Sequence, residues 1–302
     1  MRKIWRPILI SIGIAFAVSC QATQSPSGEQ SGSDSPVSAS SPEPTLQYQI
    51  YELSGSTVHT LLIPTKSQFS VKVALSPTVD TLDTFAQRHR ALAVLNGGFF
   101  DANNAKTTSY IIEHGQVVAD PKLNERLMQN PNLTPYLARI LNRSELRRYL
   151  CSKTVRYAIA FHNDSIPKDC QFTDALGGGP RLLPKITAQA EGFSDEAGGK
   201  IIRDPLGLKQ ANARTAVGIT REGNLLWVMA AQKFISSGTS GLSLPELANF
   251  LKTLGVEEAI NLDGGSSSSL YYRAKIYYGK VDERGNLVKR PVKSALILQK
   301  QK

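Results

Sequence analysis

The sequence predicts an α+β fold: strand-rich mixed sheets with a few packed helices, and glycine loops converging on one cleft. Three observations lead there. Short apolar runs of strand period recur along most of the chain, separated by Gly, Pro, Asn and Ser turns. Helical periodicity is confined to a few segments. Twice, a helix-like segment is followed by an apolar run, an Asn or Asp, and Gly-Gly, the pattern of a helix, a buried strand and a loop at the strand's end.

The elements follow in order. Leu46–Glu52 and Thr57–Pro64 read as strands joined through Ser54-Gly55-Ser56, and Phe69–Leu75 alternates with Phe69, Val71, Val73 and Leu75 on one side. Asp80–His89 is helical, with Leu82, Phe85 and Ala86 on its apolar face; His89 is a boundary residue of that face, not a ligand. Ala91–Leu95 is a buried strand that delivers Asn96. Thr108–Glu113 and Gln116–Ala119 form a hairpin around His114-Gly115, and Asp120–Leu133 is irregular. Thr134–Tyr149 reads as a helix with Thr134 as cap, Pro135 in the first turn and Arg139, Arg143, Arg147 and Arg148 on a solvated face, a substrate-facing basic ridge being the alternative. Val155–His162 is a strand, Gln171–Leu176 leads into Gly177-Gly178-Gly179, and Ala188–Leu208 is a long loop. Arg214–Thr220 and Asn224–Ala231 make a hairpin. Ser243-Leu244-Pro245-Glu246 is a capping box that opens a helix ended by Gly255. Ala259–Leu262 delivers Asp263, and the strands Leu270–Tyr272, Lys275–Tyr278 and Ser294–Leu298 close the chain.

The first 45 of the 302 residues stand apart from this pattern. Arg2, Lys3 and Arg6 precede an apolar run from Ile8 to Val18 and then Ser19-Cys20, a signal-peptide pattern too short for a membrane span. Ala17-Val18-Ser19-Cys20 resembles a lipobox, with lipidation and a membrane anchor expected at Cys20; the plainer alternative is an ordinary cleaved signal with an incidental cysteine. Residues 21–45 are rich in Ser and Pro with almost no large apolar side chain, and are expected to be a disordered tether. Residues 46–302 are left as the folded domain. With Cys20 lipidated, Cys151 and Cys170 remain as an even pair, and in an oxidising compartment they form one disulfide closing a loop of about 20 residues.

The formal charge is +10. The signal's three basic residues and the linker's Glu29, Asp34 and Glu43 cancel, so the domain carries the excess. An exported basic domain favours anionic glycans, phosphodiester polymers or anionic lipid; a merely solubilising charge is the alternative. No nucleic-acid motif is present, and nucleic acid is not expected as a partner.

The chain offers few groups for covalent chemistry. There is no nucleophile elbow, no phosphate-binding loop ending in Gly-Lys, and the four histidines (59, 89, 114, 162) lack metal spacing. No metal or cofactor is expected; loop-end Asp and Asn oxygens suit Ca²⁺, but no EF-hand-type loop supports it. What remains is Asp and Asn at glycine junctions with arginines beside them: Asp101, Asp263, Arg181 and Arg214. A carboxylate that stabilises an oxocarbenium-like centre or activates water, with Arg forks and glycine N–H groups on phosphate, fits cleavage of a phosphorylated sugar. A phosphate leaves with little protonation, so one carboxylate suffices.

Leu95-Asn96-Gly97-Gly98-Phe99-Phe100, Gly177-Gly178-Gly179-Pro180, Arg214-Thr215-Ala216-Val217-Gly218 and Asn261-Leu262-Asp263-Gly264-Gly265-Ser266 occur in that order. Together they resemble the phosphodiester glycosidase domain family, over roughly residues 58–298. The resemblance implies an exported α+β domain that hydrolyses a sugar-1-phosphodiester bond, in an envelope or exopolysaccharide glycan. It makes Asp263, Asn96 and Arg214 the catalytic set. Thr215, Ser266 and the glycines Gly97, Gly98, Gly178, Gly179, Gly264 and Gly265 would contact substrate, with Arg181 and Asp101 as further candidates. Asn96 as a loop cap and Arg214 as a buried ion-pair partner of Asp263 are the structural alternatives. At the level of function, the alternative is a non-catalytic envelope protein that binds an anionic glycan. The enzyme requires Asp263 within reach of Arg214 and Asn96 in one open cleft.

Overall fold

The computed structural model describes residues 45–235 and 238–301. The signal, Cys20 and nearly all of the proposed tether lie outside the described residues. Among the described residues no helix is long and apolar enough to cross a membrane.

Three sheets enclose the main core. The central sheet has six strands in the order Gln47–Glu52, Ser56–Ile63, Leu225–Gln232, Arg214–Thr220, Val256–Asn261, Arg181–Leu183. A second sheet has five, in the order Lys275–Tyr278, Ser269–Tyr272, Ala93–Asn96, Val292–Lys300, Phe69–Asp80. A third has five, in the order Gln116–Ala119, Ile111–Glu113, Cys170–Gly177, Ser144–Cys151, Thr154–Phe161. Leu61, Trp227 and Met229 of the first sheet, Leu95 and Leu296 of the second, and Ile111, Leu146 and Leu176 of the third share one buried cluster. The opposite face of the central sheet is covered by the helix Leu244–Thr253 through Leu244, Leu247 and Leu251. The opposite face of the second sheet is covered by the helix Leu82–His89 through Leu82, Phe85 and Ala86.

This layering explains the sequence pattern. Arg214–Thr220 is buried at every position because it is covered on both faces, by the shared core and by a helix. The capping box forms as expected: Ser243 Oγ accepts from Glu246 N at 3.3 Å, and Glu246 Oε2 accepts from Ser243 N at 2.8 Å.

Every named strand pairing is antiparallel, where mixed sheets were expected. Both helix–strand units do connect strands that run parallel, but a third strand lies between them. Val292–Lys300 pairs antiparallel with both Phe69–Asp80 and Ala93–Asn96. Arg214–Thr220 pairs antiparallel with both Leu225–Gln232 and Val256–Asn261. The two units are internal analogues. Asn96 faces Ala295 of Lys293-Ser294-Ala295, and Asn261 faces Ala216 of Arg214-Thr215-Ala216.

Two other segments differ from expectation. Thr134–Tyr149 is a short helical stretch, Thr134–Tyr136 and Leu137–Ile140, followed by the strand Ser144–Cys151. Its arginines fitted a helix face, but pairing on both edges, with Thr154–Phe161 and Cys170–Gly177, holds the segment extended. Arg147 is 2% exposed and ion-paired to Glu145 at 2.7 Å. Residues 188–208 contain a small hairpin, Asp195–Ala197 with Lys200–Arg203. Cys151 and Cys170 face each other across a ladder and form the disulfide.

Candidate active site

The site grows from the ends of two strands. Ala93–Asn96 brings in Asn96 from the second sheet, and Val256–Asn261 brings in Asp263 two residues past its end. The chain beyond Asn261 stays bonded to its surroundings: Leu262 N donates to Thr215 O at 2.8 Å, Asp263 N to Gly97 O at 3.1 Å, and Gly265 N to Ala213 O at 2.8 Å.

Asn96 is fully buried and ties these strands together. Its Oδ1 accepts from Thr215 Oγ1 at 2.8 Å and from Ser269 N at 3.0 Å; its Nδ2 donates to Asp263 O at 2.7 Å. The amide thus acts on the backbone of Asp263, not on its carboxyl. Thr215 is fully buried and its hydroxyl is committed to Asn96.

The three glycine junctions touch one another. A Cβ on Gly98 would lie 2.2 Å from Gly177 O, and one on Gly97 would lie 2.7 Å from Ser294 O. Only glycine admits backbone so close. Gly179 N donates to Asn261 O at 2.8 Å, and Asn261 Nδ2 donates back to Gly179 O at 2.9 Å. A Cβ on Gly178 would lie 2.7 Å from Asn261 O, and one on Gly264 3.0 Å from Ala213 O.

Asp263 keeps partial solvent access at the surface of this node. Burial pushes its carboxyl pKa up to about 6, against the opposing pull of the Ser267 hydroxyl, the Arg290 charge and the Gly264 N–H. Ser267 Oγ makes no hydrogen bond of good geometry, nor do the buried Ser268 Oγ and Asn261 Oδ1. Arg290 donates through Nη1 to Ser266 Oγ at 2.9 Å and stands 4.9 Å from the Phe100 ring centroid. Near the same loop, Asn212 lies beside Gly265, and Lys280 Nζ is 3.5 Å from Asn212 Oδ1. Among the described residues, the cation whose charge acts on Asp263 is Arg290, while Lys280 stands by Asn212, next to Gly265. Neither stands in a motif; only the signal that Arg290 precedes the last core strand by two residues was there to read.

The remaining candidates are placed elsewhere. Arg214 is 3% exposed, and its guanidinium donates to four carbonyls: Leu242 O at 3.0 Å, Leu206 O at 3.0 Å, Gly207 O at 2.8 Å and Gln210 O at 2.8 Å. Only its stem passes the site, with Cδ 3.8 Å from a Cβ position on Gly264. Desolvation lowers its pKa to about 10, and the Asp204 charge opposes that. Arg181 donates to Ile159 O at 2.8 Å and lies over the Phe161 ring. Asp101 is ion-paired to Arg126 at 2.8 Å. Among the described residues, no group of three or more His, Cys, Asp or Glu side chains is placed to hold a metal ion.

The arrangement offers one carboxyl at a strand end, with glycine junctions, an arginine and serines around it. The family model for phosphodiester glycosidases matches residues 89–299, and the chain belongs to that family. Solved structures share the fold. The catalytic domain of zebrafish N-acetylglucosamine-1-phosphodiester alpha-N-acetylglucosaminidase, auto-inhibited by its pro-peptide, is 18% identical with a TM-score of 0.63, over 87% of this chain and 85% of that one. A hypothetical protein from Synechocystis is 18% identical with a TM-score of 0.55, over 84% of this chain; the chain spans only 61% of that protein's length. A candidate exported protein of Burkholderia pseudomallei is 16% identical with a TM-score of 0.53, over 80% of this chain and 74% of that one. No curated protein matches.

Proposed function

We propose that this chain is an exported, lipid-anchored phosphodiester glycosidase that hydrolyses the sugar-1-phosphodiester bond of an envelope or exopolysaccharide glycan, with the glycine junctions shaping one cleft. The observation that carries the reading is the setting of Asp263 in the family's motif, beside Arg290 and Ser266. Family membership supports hydrolysis at a sugar phosphodiester.

The chemistry assigned to the site uses one carboxylate. Near neutral pH a group with a pKa of about 6 is mostly ionised. The Asp263 carboxylate takes a proton from a water that adds to the anomeric carbon. The bond from that carbon to the phosphate oxygen breaks, and its electron pair leaves on the phosphate. Arg290 holds the departing phosphomonoester, with Ser266 and Lys280 beside it. The products are a free sugar and a phosphomonoester. In this assignment Asn96 and Thr215 position the Asp263 backbone, and Arg214 organises the 206–210 segment, so all three act through structure.

The test is incubation of the full chain with UDP-N-acetylglucosamine and with methyl N-acetylglucosamine-1-phosphate. Free sugar with a matching phosphorylated product supports the reading. A folded protein that binds an anionic glycan yet releases sugar from neither compound, nor from other hexose phosphodiesters, would leave it a glycan-binding protein.

A further inference from the structure

Three arginines close on one turn of backbone next to the glycine junctions. Arg143 Nε donates to Glu191 O at 3.0 Å, Arg203 Nε to Gly192 O at 2.8 Å, and Arg139 Nη1 to Gln189 O at 3.1 Å. Glu191 and Gly192 are consecutive, so the Arg143 and Arg203 guanidiniums stand side by side. Burial pushes the Arg143 pKa down to about 9; the Glu191 charge opposes that and the Arg203 charge adds to it. Aromatic rings back the cluster. Arg143 lies 3.6 Å from the Phe193 ring centroid, and Arg203 and Arg139 lie 4.7 and 5.1 Å from that of Tyr136.

Two carboxylates, Glu191 and Asp195, stand against the three arginine heads, which leaves a cationic excess. Glu191 accepts from Ser144 N at 2.8 Å, Ser144 Oγ at 3.0 Å, Arg181 N at 2.8 Å and the Thr187 hydroxyl. Asp195 lies 3.8 Å from Arg139 and pairs across the small hairpin with Arg203. Among the described residues, the terminal nitrogens of Arg143 and Arg203 hydrogen-bond to no other group. Arg143 is 8% exposed. Holding the turn needs Nε alone, which leaves the terminal nitrogens of Arg143 and Arg203 as donors for an anion.

The cluster adjoins the candidate active site. Phe193 stands 5.5 Å from Phe99, the residue after Gly98, and a Cβ on Gly179 would touch both Phe193 and Glu191. We propose that Arg143 and Arg203 form an anion subsite that holds a further phosphate of a phosphate-linked polymer whose scissile bond lies at Asp263. The identity of that anion rests on the phosphodiester reading; the existence of the subsite does not. A substrate that fills both positions carries a second phosphate beyond the scissile one.

The experiment measures inorganic phosphate binding by calorimetry at low ionic strength, on the full chain and on Arg290→Gln, Arg143→Met and Arg203→Gln. Arg290→Gln removes the cation beside Asp263 and is expected to keep one phosphate site. Arg143→Met is expected to weaken that site by about tenfold or more, and Arg203→Gln by about fivefold. On a phosphate-linked oligomer Arg203→Gln raises KM, and on methyl N-acetylglucosamine-1-phosphate it does not. Unchanged phosphate binding in folded Arg143→Met and Arg203→Gln overturns the subsite. Should Arg143→Met fail to fold, the part-exposed Arg203→Gln decides alone. Phosphate bound here with no sugar phosphodiester cleaved would retain the subsite and remove the glycosidase reading.

Discussion

The side-chain amide of Asn96 donates to the backbone carbonyl of Asp263 at 2.7 Å. One residue comes from the second sheet and the other follows the central sheet, so this bond joins the ends of two sheets at the point where the candidate carboxyl emerges. The same amide accepts from Thr215 and Ser269. The carboxyl's position is thereby fixed by residues that never contact it.

Asn96→Ala leaves the Thr215 hydroxyl, Ser269 N and Asp263 O buried without partners. A loss of about 2–4 kcal/mol is expected in urea unfolding, since each such group costs about 1–3 kcal/mol and neighbouring costs do not add fully. Asn96→Asp is worse than its size suggests, because a carboxylate cannot donate to Asp263 O. Equal stability of Asn96→Asp and wild type would remove Asn96 from this role.

Asp263 makes stability depend on pH with a defined sign. Its folded pKa, about 6, lies above the ordinary value of 3.8. The folded chain therefore keeps a proton that the unfolded chain releases. The resulting stability is fully present below about 3.8 and is lost as pH rises through about 6. Asp263→Asn does not ionise, so its advantage over wild type is absent near pH 3.5 and grows to on the order of 2 kcal/mol by pH 7. Unfolding of both chains across this range measures the gap. A constant gap contradicts the burial of Asp263.

Arg214→Lys retains the charge and loses the fork that reaches four carbonyls. The segment around 206–210 loses its staple, and a destabilisation of about 2–4 kcal/mol is expected, with faster proteolysis between Asp204 and Gln210. A variant of wild-type stability with a selective loss of kcat would instead return Arg214 to the chemistry.

Replacing both Cys151 and Cys170 by Ser opens a loop of 19-residue separation. The chain-entropy model gives a loss of about 3 kcal/mol, read as a lower urea midpoint. Because the pair sits at the far end of its strands, away from Gly177, activity per folded molecule is expected to stay unchanged.

Most strands and both long helices were legible because their signals are local: alternation, the Ser243–Glu246 capping box, and glycine at strand ends. Two kinds of information were not local. The arginines of residues 139–148 fit a helix face by spacing, yet Arg147 is a buried strand residue whose partners, Glu145, Phe161 O and His162 O, are set by strand pairing. The spacing of the motif residues is in the sequence; the directions of their side chains are not. Asn96 and Thr215 face each other, and Arg214 faces four backbone carbonyls. Arg290, which stands beside Asp263, belongs to no motif and is brought there by the turn before Val292–Lys300.

The central claim is that the Asp263 carboxyl carries out sugar-phosphodiester hydrolysis. Its most direct test is the rate of free-sugar release from methyl N-acetylglucosamine-1-phosphate by wild type and Asp263→Asn, both shown to be folded. Wild type is expected to release sugar at a rate that rises with pH through an apparent pKa near 6, and Asp263→Asn at a rate lower by about 10²–10⁴-fold. An Asp263→Asn chain that cleaves as fast as wild type would contradict it.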